Sequence, residues 1–186
     1  MRIRHLILAL IRQSGDCVEG KTNLQKEMYF ISIILGMDLG FKPHFYGPYS
    51  PEVEQGLGEL IGAGFVDMKW NSYGVDSESG FEMKKYTYTL TESGKRLSDI
   101  LAGESPEYDI KKIKSFVDKL KEMGSPNYQS LSLAAKAYFI LKKEGEAMNK
   151  KQLKENMLAF GWKVPDEDIE SAVGLLSELG FIKENQ

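Results

Sequence analysis

The stretch Phe41-Lys42-Pro43-His44-Phe45-Tyr46-Gly47-Pro48-Tyr49-Ser50-Pro51, running on to Gly64-Phe65-Val66, decides how the rest of the 186-residue chain is read. It opens with aromatics and turn formers. Tyr46-Gly47-Pro48-Tyr49 reads as a tight turn, because glycine tolerates unusual φ and proline fixes it. Ser50 stands where a helix N-cap belongs, with Pro51 at the first helical position. Val53, Leu57, Leu60 and Ile61 then recur at i, i+4, i+7 and i+8, one apolar stripe of a short helix. Gly64 ends that helix and Phe65-Val66 begins a strand.

The flanking segments supply what such a helix packs against. Ile3, Leu6, Ile7 and Leu10 mark an amphipathic helix over about Ile3–Gln13, ended by Gly15. A second helix starts at Thr22, where T-x-x-Q with Gln25 predicts a capping box, and runs to Gly36. It is apolar nearly all round and is expected to be the central buried helix. After the strand at about 65–70, the polar residues 71–80 form a hairpin tip and Lys84–Leu90 alternates as the return strand. Thr91 caps a helix to about Leu101. Two helices, a third helix, glycine and a hairpin define a winged helix.

Residues 103–107 read as a linker, and a helix over 107–123 carries Ile110, Ile113, Phe116, Val117 and Leu120 on one face, with lysines around the other. Its stripe offers a homodimer seam. Helices at about 130–143, Asn149–Phe160 and Pro165–Leu179 follow, and Gly180-Phe181-Ile182 closes the chain. Gly58–Val66 resembles Gly174–Ile182 at a spacing of 116, each ending an amphipathic helix with glycine, an aromatic and a β-branched residue. The expected architecture is mainly α with a small β-wing: tandem winged-helix-like units joined by a helix. The expected divisions are a winged-helix domain at 1–103, a linker helix at 104–128, and a second winged-helix-like unit with truncated wing at 129–186.

Composition narrows the function classes. Hydrophobic content of 42% supports a core, and no run of 18 apolar residues marks a membrane span. The N-terminal apolar run lacks a small-residue cleavage site and is interrupted by Arg12, so a helix is expected in place of a signal peptide. One cysteine, Cys17, suits a reducing compartment, and a cytoplasmic location is expected. A net charge of −3 argues against generic phosphate binding.

Gly15-Asp16-Cys17-Val18-Glu19-Gly20-Lys21-Thr22 fits the P-loop pattern G-x-x-x-x-G-K-[ST], whose backbone N–H groups and lysine cradle phosphates between a strand and a helix. The upstream residues read as helix, and Asp16 and Glu19 would sit beside the phosphates. The pattern is read instead as a helix end followed by a helix cap. His5 and His44 have no ligand spacing between them, and a Cys17–His44 dyad lacks an orienting third residue. No enzyme, metal or cofactor is expected.

Winged-helix modules read DNA with basic or amide side chains on the third helix. Here that helix presents Glu52, Glu54, Gln55 and Glu59, and its counterpart Asp166, Glu167, Asp168, Glu170 and Glu178, without one lysine or arginine. Candidate phosphate contacts lie elsewhere: Arg2, Arg4 and Arg12; Lys84 and Lys85 at the wing base; Lys142, Lys143, Lys150, Lys151 and Lys154 around the second unit's first turn. Exposed aromatics in a rigid turn are good protein anchors, since little orders on binding. Phe45, Tyr46, Tyr49 and Glu52 are therefore assigned to partner binding. Gly58 and Gly62 join them, because each costs about 1 kcal/mol of helix propensity and would let another backbone approach closely.

Gly20-Lys-Thr-Asn-Leu-Gln-Lys-Glu-Met-Tyr-Phe30 followed by Phe45-Tyr-Gly-Pro-Tyr-Ser-Pro-Glu-Val53 resembles a prokaryotic, mostly uncharacterised winged-helix family with G-[KR]-T-x-L-Q-K-x-x-Y and Y-G-P-Y-S motifs. More distantly it is similar to the Panacea-type antitoxin domain. The resemblance covers roughly residues 3–66 and implies an antitoxin or adaptor that binds another protein, sometimes handing it to a protease. It brings no enzymatic residues. The leading expectation is a non-enzymatic regulatory binding protein, adaptor or antitoxin-like; the alternative is a winged-helix DNA-binding transcriptional regulator.

Overall fold

The computed structural model describes residues 2–75, 82–145 and 147–183. Among them the chain is mainly helical, with one small three-stranded antiparallel sheet. Helix α1 (Ile3–Gln13) is followed by strand β1 (Cys17–Glu19) and helix α2 (Lys21–Ile34). After the 35–50 connection come α3 (Pro51–Gly62), β2 (Val66–Val75), β3 (Glu82–Leu90) and α4 (Glu92–Glu104). The remainder is helical: α5 (Glu107–Glu122), α6 (Tyr128–Glu144), α7 (Lys150–Ala159) and α8 (Asp166–Leu179). Strands β2 and β3 pair as the hairpin that the sequence predicts.

Helix α2 is the central element. Leu24, Met28, Phe30 and Ile31 are each at most 1% exposed. Helix α3 begins as the residues dictate: the Ser50 hydroxyl accepts the Val53 N–H at 3.1 Å and donates to the Leu39 carbonyl at 2.5 Å. Gly64 (φ +73°) and Phe65 close it, their N–H groups returning to Ile61 and Leu60. Thr91 caps α4 through the Gly94 N–H and also donates to the Gly64 carbonyl. A Cβ at Gly94 would collide with the Phe65 carbonyl, so that crossing requires glycine.

Several expectations are corrected. The Thr22–Gln25 capping box does not form. Helix α2 starts one residue earlier, with Gly20 (φ +88°) at the N-cap and no side-chain cap, and the Gln25 amide reaches Ser50 instead. The strand β1 has no periodic signal in the sequence and pairs with β3, Val18 opposite Tyr88, giving the order β1-β3-β2. Strand β2 runs to Val75, beyond the expected limit near residue 70; part of the predicted hairpin tip, 76–80, lies outside the described residues. No strand follows α8 among the described residues, so Gly180-Phe181-Ile182 makes no wing there.

The homodimer seam assigned to 107–123 is consumed within the chain. Ile113, Phe116, Val117 and Leu120 are buried in the same core as α1 and α2. Three of the five lysines of α5 clasp helix ends: Lys121 Nζ donates to Gln13 O (2.9 Å), Lys112 to Ile34 O (3.1 Å) and Lys119 to Leu179 O (3.4 Å). These carbonyls are at or beside the C-termini of α1, α2 and α8, where unsatisfied acceptors and the negative helix pole favour a cation. Phe181 fills the space left between the helices, its ring 4.8 Å from Phe30 and 5.2 Å from Tyr138.

Candidate functional site

The 41–51 turn is built from inside outward. Gln25 acts as a surrogate backbone: its Nε2 donates to Ser50 O and its Oε1 accepts from Ser50 N, both at 3.0 Å. Beside it the Lys26 ammonium, 2% exposed, donates to Pro48 O at 2.7 Å. Thus the Leu-Gln-Lys and Tyr-Gly-Pro-Tyr-Ser segments, well separated in sequence, hold each other. Lys42 and Tyr49 exchange backbone hydrogen bonds (3.0 and 2.9 Å), and Gly47 N returns to His44 O at 2.9 Å. The second half of the chain completes the mount: the buried Trp162 indole donates to His44 O at 2.8 Å. Gly47 (φ +92°) lies so close to α6 that a Cβ would stand 3.1 Å from Lys136 Cγ and 3.2 Å from the Ser132 carbonyl.

What remains outside is aromatic. Phe45 is 73% and Tyr46 49% exposed, their rings edge to face at 4.9 Å. Tyr49 turns partly inward, against His44 at 5.1 Å. Glu52 is exposed on α3 beside Gly40. Gly58 and Gly62 are exposed with open space where a Cβ would stand, whereas Gly56 is the glycine that lets α1 approach, through Ile3 and Ile7.

The assigned basic residues are largely engaged. Arg4 pairs with Glu59, and Arg12 with Asp16 (2.8 Å) and Asp99 (2.9 Å). Lys85 pairs with Glu19, Lys150 with Glu170 (2.9 Å), Lys151 with Glu155 (4.0 Å) and Lys154 with Asp166 (2.5 Å). Lys84 lies 4.2 Å over the Trp70 ring and Lys143 4.7 Å over Phe160. Arg2 and Lys142 are exposed. Exposed pairs of this kind add little stability, but each carboxylate offsets a charge that phosphate would need.

The 15–22 pattern serves the fold. Gly15 (φ +92°) and Asp16 (φ +67°) turn out of α1, residues 17–19 form β1, and Lys21 pairs with Glu54. Burial opposes the Asp16 charge, but Arg12 and Lys95 hold its carboxyl below the usual range. Cys17 sits against Thr89 (3.8 Å) on the sheet, while His44 belongs to the turn. Among the described residues no three of His, Cys, Asp and Glu cluster as a metal site. No helix among them is long and apolar enough to cross a membrane.

Two adjacent titratable side chains of α2, Lys26 and Glu27, are shifted by burial. Burial, and next the Lys136 cation, push the Lys26 ammonium down to about 7. Burial pushes Glu27 up to about 7; the residue retains some exposure, but its Oε2 is sealed without a hydrogen-bond partner.

No family profile matches the chain. It is 26% identical over 177 residues to the uncharacterized protein YwgA of Bacillus subtilis (strain 168), with 93% of each chain covered. That likeness spans both the turn and the helices that mount it.

Proposed function

We propose that the chain is a winged-helix regulatory binding protein, adaptor or antitoxin-like and non-enzymatic, that engages a protein partner through its aromatic turn. The observation that carries this reading is the contrast within one short segment. Phe45 and Tyr46 stand in solvent on a backbone fixed by Gln25, Lys26 and Trp162. An aromatic already held in place loses little entropy on binding, which is what an interface anchor requires. Helix α3, which leaves the turn directly, offers the open Gly58 and Gly62 positions as an adjoining surface. The reducing-compartment composition fits a cytoplasmic protein. The element order α1-β1-α2-α3 followed by the β2–β3 wing supports the winged-helix reading and, with it, a DNA-binding regulator as the second reading. The carboxylates paired to the basic residues favour the first.

The test is capture from native lysate with the wild-type chain and with Phe45→Ala/Tyr46→Ala. The expected result is a specific protein partner lost in the double variant. Identical captures, or retention of duplex DNA alone, would remove the reading.

A further inference from the structure

Three segments meet at the aromatic turn, and none of them contains a carboxylate: residues 41–51, 130–143 and 158–165. They carry Lys42, His44, Lys136, Lys142, Lys143 and Lys163, in a chain where acidic residues outnumber basic ones 27 to 24. Their convergence is structural. Trp162 bonds to His44 O, Gly47 abuts Lys136 and Ser132, and Lys136 Nζ lies 5.5 Å over the Trp162 ring. Beside the turn, Phe41 and Phe139 line a cleft of about 470 Å³ that also holds Ile33, Lys142 and Lys143. Asp38 is the sole carboxylate on its wall among the described residues. The local field shows in Lys26, whose ammonium is disfavoured by burial and by Lys136.

We propose that the aromatic turn and the α6 and 158–165 segments form one cationic docking surface for an acidic polypeptide segment that inserts an apolar side chain beside Phe41. The proposal rests on the protein-partner reading above and names that partner's chemistry. Charge complementarity selects it: Lys142 and Lys143, the latter 3.9 Å from Glu144, rim the slot and Lys42, Lys136 and Lys163 extend the basic surface, and opposite charge on the partner steers encounter and fixes register. A nucleic-acid strand fits less well. It would run from this patch onto the carboxylates of α3 and α8, which begin at the ends of the turn and of the 158–165 segment. The Phe45 and Tyr46 rings lie at 87° to each other, so they offer no parallel platform on which successive bases stack.

The experiment selects 12-residue random peptides on the immobilised full chain. A winning peptide is then titrated by fluorescence anisotropy at 50 and 300 mM NaCl, with (dT)15 as the competing probe. The expected winners are net acidic with an aromatic or leucine, and their affinity falls about tenfold across that salt range. Lys42→Glu/Lys163→Glu, both exposed positions whose folding is verified by urea midpoint, weakens binding at least tenfold; Lys42→Gln/Lys163→Gln falls between. Phe45→Ala/Tyr46→Ala loses binding as well. Neutral or basic winners that still require Phe45 and Tyr46 would overturn the acidic partner and leave the partner reading standing. Winners indifferent to every variant, or no winners, would overturn both. Tighter binding of (dT)15 than of any peptide would assign the surface to nucleic acid.

Discussion

The inner and outer sides of the 41–51 turn are a few residues apart and obey opposite rules. On the inner side three buried side chains hold the turn's backbone: Gln25 bonds to Ser50, Lys26 to Pro48 and Trp162 to His44. On the outer side two large aromatics are left in water. The comparison teaches that the rigidity of a loop and the exposure of its side chains are separable. The inner hydrogen bonds hold the backbone, and the outer rings contribute little to folding.

The largest effect that separates the two sides is at Gln25. Gln25→Ala removes two hydrogen bonds and strands the buried Ser50 N–H, while the Ser50 carbonyl keeps the Glu54 N–H, for about 2–3 kcal/mol lost from the urea unfolding free energy. A loss below about 1 kcal/mol would mean that water replaces the amide.

Next is Lys26, whose folded-state pKa of about 7 lies below its ordinary value of 10.5. The unfolded chain therefore binds the proton more readily than the folded one between those values. The resulting penalty is fully present below pH 7 and is relieved as pH rises toward 10.5. Wild-type stability is expected to gain roughly 2 kcal/mol between pH 7 and 9 relative to Lys26→Met, read from paired denaturation curves. Parallel pH profiles would contradict the buried-cation assignment.

Gly47→Ala tests the close approach to α6. The left-handed backbone and the Ser132 carbonyl at 3.2 Å predict a cost of about 1–2 kcal/mol, seen as a lowered thermal midpoint. The smallest expected effect is on the outer side. Phe45→Ala/Tyr46→Ala changes stability by less than about 0.5 kcal/mol, as surface changes do, while abolishing partner capture. A larger destabilisation would show that the rings serve the fold.

Local signals carried much of this architecture. Ser50-Pro51 and Gly64 bracket α3 as their chemistry requires, and the nearly all-round apolar character of residues 28–35 announces the central helix. Tertiary choices were not legible. T-x-x-Q reads the same whether the glutamine caps its own helix or reaches Ser50, and the latter wins because a buried backbone pair needs satisfying. Three residues are too few to show a period, so β1 emerges only from its pairing with β3. An amphipathic stripe on α5 reports burial and is silent on what buries it. The two glycine corners make the same point. Gly64-Phe65 and Gly180-Phe181 close their helices with the same pair of backbone hydrogen bonds. Val66 then pairs with Leu90 in the sheet, while Phe181 turns into the Phe30 cluster. At the candidate site, the inward turn of Tyr49 and the outward turn of Phe45 have no periodic signature. The carboxylate-free segments were visible in the sequence, but their convergence rests on tertiary contacts such as the Trp162 indole reaching a carbonyl 118 residues away and Gly47 packing on α6.

The central claim is that the turn is already ordered before any partner arrives. Native-state hydrogen exchange of the Lys42, Gly47, Tyr49 and Ser50 amides tests it most directly, because all four donate within the mount. The account predicts protection approaching that of the α2 core amides in the free protein, retained in Phe45→Ala/Tyr46→Ala and lost in Gln25→Ala. Exchange of these four amides at unprotected rates in the wild-type chain would contradict it.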